Sequence, residues 1–219
     1  MNVQTCSRMS LGRKRKRDMG SGRHQIYLEE LIKYLEETNI YDLEGIAYKN
    51  WEEGMQAVTG LFLETRQKGK QLFFIGNGGS AAIASHMTAD YMKNGRMKTI
   101  SLYDSAVVTC FGNDYGYEQV FSRSLERLGE DGDLLIAISS SGNSPNIVNA
   151  IQMAKEKGLH VVTLSGFEGT NRIRAMGDYN IYVPVCHYGM VESIHNLILQ
   201  QIVDALMEYT PSADRMPRL

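Results

Sequence analysis

Cysteine, proline and tryptophan are scarce in this chain, at three, four and one among 219 residues. Cys6, Cys110 and Cys186 are odd in number, far apart and without a CxxC pair. That argues against a disulfide framework and against a cysteine metal site, and the expectation is reduced thiols. No apolar run approaches the roughly eighteen residues that span a bilayer, and no charged start leads into an apolar cleavage segment. A soluble, cytoplasmic protein with no membrane partner is therefore expected. No period of solenoid length is present.

Positive charge is in deficit in the body of the chain. The formal charge is −2, but residues 1–23 hold seven Lys or Arg against Asp18, a net +6 that leaves −8 for the rest. The basic run at 13–17 lacks interleaved aromatics and sits among Gly and Ser at a terminus, so it is expected to be a disordered, solvated tail. An acidic body is a poor match for a polyanion, so nucleic acid is not the expected partner.

Against these absences stands the stretch 72–90, LFFIGNGGSAAIASHMTAD. Leu72, Phe73, Phe74 and Ile75 suit a parallel strand covered on both faces. Gly76, Gly78 and Gly79 free the backbone to turn, and Ser80 is placed to cap a helix begun by Ala81 and Ala82. A helix N-terminus fed by such a turn presents free N–H groups and partial positive charge, which suits a phosphate. A second strand-to-turn run follows at 136–147, IAISSSGNSPNI, where Ser139, Ser140, Ser141, Gly142, Asn143 and Ser144 precede Pro145 at the first helical position. Alone, that run also describes a capped turn. Two such turns in one α/β domain open on the carboxyl edge of the sheet, where ligands bind. Neither loop holds a lysine, and the spacings are neither GxxxxGK[ST] nor GxGxxG, which argues against a nucleoside triphosphatase or a dinucleotide enzyme. Neutral hydroxyls and amides suit a phosphate monoester on a small metabolite.

Elsewhere the periodicity predicts amphipathic helices at 24–37 and about 44–67. Strands are expected at 71–75, 99–103, 133–139, 160–165 and 180–183, mostly separated by helices, as in a doubly wound parallel sheet. Helices at 106–111 and 117–128 are expected to be split by a loop at 112–116, and a last helix to run over about 189–209. Cys110 reads as a core position, and Trp51 and Met55 as core or interface positions on their helix. The two leading helices have nothing local to pack on, which points to the sheet or another subunit.

Asn77 with its flanking glycines and Ser80, then His86, the pair Asn113 and Asp114, the serine loop and the EsIH run of the last helix together resemble the sugar isomerase (SIS) domain. More narrowly, the chain from about 28 to 209 is similar to the bacterial phosphoheptose isomerases. The resemblance implies a five-stranded parallel sheet, a homotetramer with active sites at subunit interfaces, and no organic cofactor. It divides the chain into a tail at 1–23, one SIS domain at 24–209 (helices 24–68, α/β core 70–209) and a tail at 210–219. It implies isomerisation of a sugar phosphate such as sedoheptulose 7-phosphate, with a non-catalytic phosphosugar-binding or protein-interaction module as the alternative. Substrate contact is implied for Asn77, Gly78, Gly79, Asn113, Asp114, Ser139, Ser140, Ser141 and Ser144, with Ser80 beside them.

The family's chemistry rests on a histidine, a glutamate four residues on, and a glutamine and second histidine from the last helix, a set that can hold zinc. Here His86 keeps the first position, while Asp90, Glu192 and Gln200 replace the other three. His86 and Asp90 share a helix face, and Glu192 and His195 lie on nearly the same face of the last helix. The expectation is that Glu192 acts as base with His195 or His86 as acid, Asp90 and Gln200 completing the site. A zinc or other divalent ion would fall to His86, Asp90 and Glu192.

Overall fold

A computed structural model of the chain describes residues 22–209. The basic run at 13–17 and the expected tails lie outside the described residues, except that Gly22 and Arg23 belong to the start of the first helix rather than to a tail. Two helices, α1 (Arg23–Glu36) and α2 (Trp51–Gln67), flank a short strand, β1 (Asn39–Tyr41). Then come β2 (Gln71–Ile75), α3 (Gly79–Lys93), β3 (Lys98–Ile100), α4 (Ser105–Tyr115), α5 (Val120–Leu128) and β4 (Leu134–Ser139). The chain continues through α6 (Pro145–Glu156), β5 (His160–Ser165), β6 (Tyr179–Tyr182) and α7 (Tyr188–Glu208).

The strands form one sheet in the order β1-β6-β5-β4-β2-β3. From β6 to β3 every pairing is parallel, which is the expected five-stranded sheet. The sixth strand, β1, adds antiparallel to the β6 edge. Three residues with only Ile40 buried carry no alternation to read, which is why the periodicity missed it. Strand β2 explains why a parallel strand needs an unbroken apolar run. Leu72 and Phe74 enter one core with Ile136 and residues of α2, α3 and α7, while Phe73 and Ile75 enter the other with Leu135 and residues of α5 and α6. Strands β2 and β4 are neighbours, yet β2 leads to β3 on one side and β4 to β5 on the other. Their carboxyl ends therefore bound the switch point of the sheet.

Three helical expectations change. α2 starts at Trp51, because the Asn50 side chain accepts from the Glu53 N–H at 2.9 Å and donates to the Glu53 carboxylate at 3.0 Å, a reciprocal cap. α4 runs through Gly112, Asn113 and Asp114, where a loop was expected. Asp104 caps its start at 3.0 and 3.1 Å, Phe111 and Tyr115 pack edge to face one turn apart, and Gly116 at φ +87° ends it. A single internal glycine costs a helix about 1 kcal/mol, too little to break one so supported. Ser80 is not a cap: α3 begins at Gly79, and Gly78 at φ +55° is the residue before it. Neither α1 nor α4 buries any residue, and Ile26, Leu28 and Ile32 of α1 are exposed. Cys110 on α4 is an exposed free thiol, not a core residue. Cys186 is disulfide-bonded, against the expectation of reduced thiols. Among the described residues no helix is long and apolar enough to cross a membrane.

Candidate active site

At the switch point lies a cavity of about 260 Å³, lined by the turns after β2 and β4 and by the first residues of α7. The β2 turn is held from behind by Tyr103, whose hydroxyl accepts from the Gly76 N–H at 2.6 Å and donates to the Gly76 carbonyl at 2.9 Å. Burial chiefly pushes the Tyr103 phenol well above its ordinary range, so it stays protonated and keeps both bonds. Asn77 is held as firmly. Its amide exchanges two hydrogen bonds with the buried Asn146, at 2.9 and 2.8 Å, and Tyr117 donates to its Oδ1 at 3.0 Å. The β2 and β4 turns are thus joined directly.

In the β4 turn, Ser139 Oγ accepts from the Gly142 N–H at 3.1 Å and lies 3.5 Å from Ser144 Oγ. Gly142 has φ +64°, and a methyl group on it would strike the Asn171 side chain. Asn171 in turn donates to the carbonyls of Gly166 and Glu168 at 3.1 and 2.8 Å, so this turn is braced by the segment after β5. Pro145 occupies the first position of α6, as expected. Ser140 stands apart from its neighbours. It is 4% exposed, and although the residue lines the cavity, its Oγ is buried with no hydrogen-bond partner among the described residues. A buried hydroxyl left unpaired costs about 1–3 kcal/mol.

The facing wall comes from α7. Glu192 reaches the first turn of α3 so closely that a methyl group on Gly79 would overlap its carboxylate. It sits at the positive end of the α3 dipole and, among the described residues, is the only carboxylate or cation lining the cavity. No hydrogen bond or ion pair to it exists among the described residues. Tyr188, one turn earlier on α7, also lines the cavity and packs edge to face on Phe167 with ring centroids 4.8 Å apart.

Asn77, Gly78, Gly79, Ser80, Ser139, Ser140, Ser141, Ser144 and Glu192 are therefore brought together. The remaining expected residues lie elsewhere. His195 does not turn to the cavity beside Glu192: it is fully buried, with Nε2 3.2 Å from the Ser165 carbonyl and Nδ1 unpartnered. The three-residue spacing rotates it from the cavity face of α7 onto the sheet face. Burial lowers its pKa to about 4, so near neutral pH it is uncharged. Asn113 and Asp114 are exposed on the last turn of α4 and bond to each other at 2.9 Å. His86, Asp90 and Gln200 form a second cluster between α3 and α7. Gln200 Nε2 donates to Asp90 Oδ2 at 2.9 Å and lies 3.3 Å from His86 Nε2, while His86 Nε2 is 3.3 Å from the same Asp90 oxygen. Eight residues of helix put Gln200 roughly 12 Å along the axis from Glu192.

This arrangement does not fit the divalent ion that the resemblance implied. The expected ligands His86, Asp90 and Glu192 do not converge: Glu192 lines the cavity, while His86 and Asp90 lie on the flank beside Gln200. Among the described residues no group of three or more His, Cys, Asp or Glu gathers to hold a metal. Sequence reasoning also missed Tyr103, Tyr117, Asn146 and Asn171, which hold the two turns. Asn146 alone had a local signal, directly after Pro145; the others reach the turns from distant segments.

The SIS domain family model matches residues 34–166. The phosphoheptose isomerase of Fusobacterium nucleatum is 37% identical over 163 residues, covering 72% of this chain and 81% of that protein. The enzyme of that name from Nitratidesulfovibrio vulgaris is 41% identical over 137 residues, covering 60% and 65%. Among solved structures, the phosphoheptose isomerase of Neisseria gonorrhoeae superposes with a TM-score of 0.72 at 30% identity, over 85% of this chain and 97% of that one. With the sheet order, the paired turns and these matches in agreement, the chain belongs to the phosphoheptose isomerase-like branch of the SIS domain family.

Proposed function

We propose that this chain interconverts a ketose phosphate and an aldose phosphate, with sedoheptulose 7-phosphate or a related phosphosugar as substrate. The observation that carries the reading is a cavity without lysine or arginine, built on two helix N-termini, into which one unpartnered carboxylate, Glu192, projects. The N-terminus of α6 with Ser139, Ser140, Ser141 and Ser144 supplies neutral donors for the phosphate. The N-terminus of α3 is already faced by Glu192, so the reacting end of the sugar lies on that side.

Glu192 takes the carbon-bound proton next to the carbonyl and returns it to the neighbouring carbon, through an enediol. The oxygen that gains charge needs a donor. His195 cannot supply it, because it is buried and hydrogen-bonded to Ser165. His86 remains, and it lies outside the cavity of its own subunit. In a homotetramer with active sites at the interfaces, His86 of a neighbouring copy is the acid. The uncovered faces of α1 and α4 support such an assembly. No step is routed through a metal, since the donor set does not fit one.

One experiment tests the reading: turnover and phosphosugar-induced thermal shift, measured for the wild type and Glu192→Gln with pentose, hexose and heptose phosphates. A binder present at a hundred times its Kd stabilises the fold by about 2.7 kcal/mol, which identifies the sugar. Glu192→Gln should lose about a hundredfold or more in turnover and keep the shift. Unchanged turnover would remove Glu192 as base. A shift without turnover in the wild type would favour a non-catalytic phosphosugar-binding module.

A further inference from the structure

The amide of Asn77 has almost no freedom left. An asparagine side chain offers two acceptor lone pairs and two donor hydrogens. Both lone pairs of Asn77 Oδ1 are used, by Asn146 Nδ2 at 2.8 Å and by the Tyr117 hydroxyl at 3.0 Å. One hydrogen of Asn77 Nδ2 goes to Asn146 Oδ1 at 2.9 Å. What remains is a single N–H on a residue that lines the cavity.

We propose that Asn146 and Tyr117 are positioning residues that make Asn77 a hydrogen-bond donor, and only a donor, toward the ligand. The proposal rests on the cavity being a phosphosugar site. Asn146 is 2% exposed at the second position of α6, so its amide is fixed by the fold. Turning both amides over together would keep their two mutual bonds but would aim the Asn77 carbonyl at the ligand. Tyr117 opposes that turn, because a phenol is a better donor than acceptor and Asn77 Oδ1 is where its hydrogen goes. The consequence is selectivity by hydrogen-bond sense. Ligand oxygens that accept, as in a phosphate or a developing enediolate, are matched, while a ligand group that can only donate is not. The same pair ties the turn after β2 to the turn after β4, so the two helix N-termini hold one spacing.

The test is calorimetric binding of sedoheptulose 7-phosphate and of inorganic phosphate to the full chain. The variants are Asn77→Ala, Asn146→Ala, the double variant and Tyr117→Phe. If Asn146 acts through Asn77, Asn146→Ala weakens phosphosugar binding by about tenfold in the wild type and adds nothing in the Asn77→Ala background. Tyr117 is exposed, so Tyr117→Phe leaves the melting temperature unchanged while weakening binding by about fivefold. An Asn146 effect equal in both backgrounds, or a Tyr117→Phe variant that binds as the wild type does, overturns the positioning role. A wild-type chain that binds neither probe overturns the reading of the cavity instead, and is recognised because the variants are then not needed to see it.

Discussion

Two polar positions of α7, eight residues apart, meet opposite conditions. Glu192 projects into the cavity with no partner among the described residues, against the first turn of α3. Gln200 is bonded to Asp90 and lies within hydrogen-bond distance of His86, on the flank of the same helix pair. A group held ready for chemistry is left unsatisfied by the fold, whereas a group satisfied by its neighbours serves packing or waits for another subunit. Relative to the family pattern, a carboxylate has moved into the cavity and an imidazole has left the flank. The ionisable weight has shifted toward the helix N-termini that bound the cavity.

The largest predicted effect separates the two histidines that accompany these positions. His195 is buried and its pKa is lowered to about 4, against 6.5 for a free imidazole, while His86 is exposed. A lowered folded pKa means that the unfolded chain binds the proton more tightly. The stabilisation is complete above pH 6.5 and is lost progressively as pH falls toward 4, by about 3 kcal/mol in all. His195→Gln keeps a donor for the Ser165 carbonyl but does not titrate. Its melting temperature relative to the wild type should therefore rise as pH is lowered from 7 to 5. Parallel profiles for His195→Gln and the wild type would remove His195 as the acid-sensitive lock behind the cavity.

Most of the sheet and both turns were legible in the sequence, because they depend on local apolar runs and glycines. Leu72, Phe73, Phe74 and Ile75 announce a strand buried on both faces, and Pro145 announces the start of α6. β1 was not legible, since a three-residue edge strand depends on the β6 edge it joins rather than on its own pattern. The continuation of α4 through Gly112 depended on support from Asp104 and Gly116 at its two ends. Within the site, Glu192 was legible as a carboxylate facing the serine loop. His195 was misplaced because a step of three residues turns a side chain by about 60°, enough to carry it from cavity to core.

A smaller effect tests how closely Glu192 depends on α3. Gly79→Ala should lower stability by about 1–3 kcal/mol or displace the carboxylate, because the added methyl meets Glu192 Oε1 at 2.6 Å. Displacement would reduce turnover and leave phosphate affinity nearly intact, since the α6 turn is untouched. Full activity with full stability would mean that Glu192 need not stand against α3.

The smallest effect contrasts an unsatisfied hydroxyl with a satisfied amide. Ser140 Oγ is buried and has no partner among the described residues, on a residue that lines the cavity, so the fold gains no hydrogen bond from it. Ser140→Ala should leave the melting temperature unchanged or slightly higher while weakening phosphate binding by about fivefold, the worth of one hydrogen bond. Gln200→Ala should do the reverse. It removes bonds to Asp90 and His86, costing about 1 kcal/mol of stability, and leaves phosphate affinity within twofold, since Gln200 does not line the cavity. If Ser140→Ala destabilised the chain and left phosphate affinity unchanged, the hydroxyl would belong to the core. The distinction between a cavity kept unsatisfied for its ligand and a flank satisfied by itself would then fail at its most direct point.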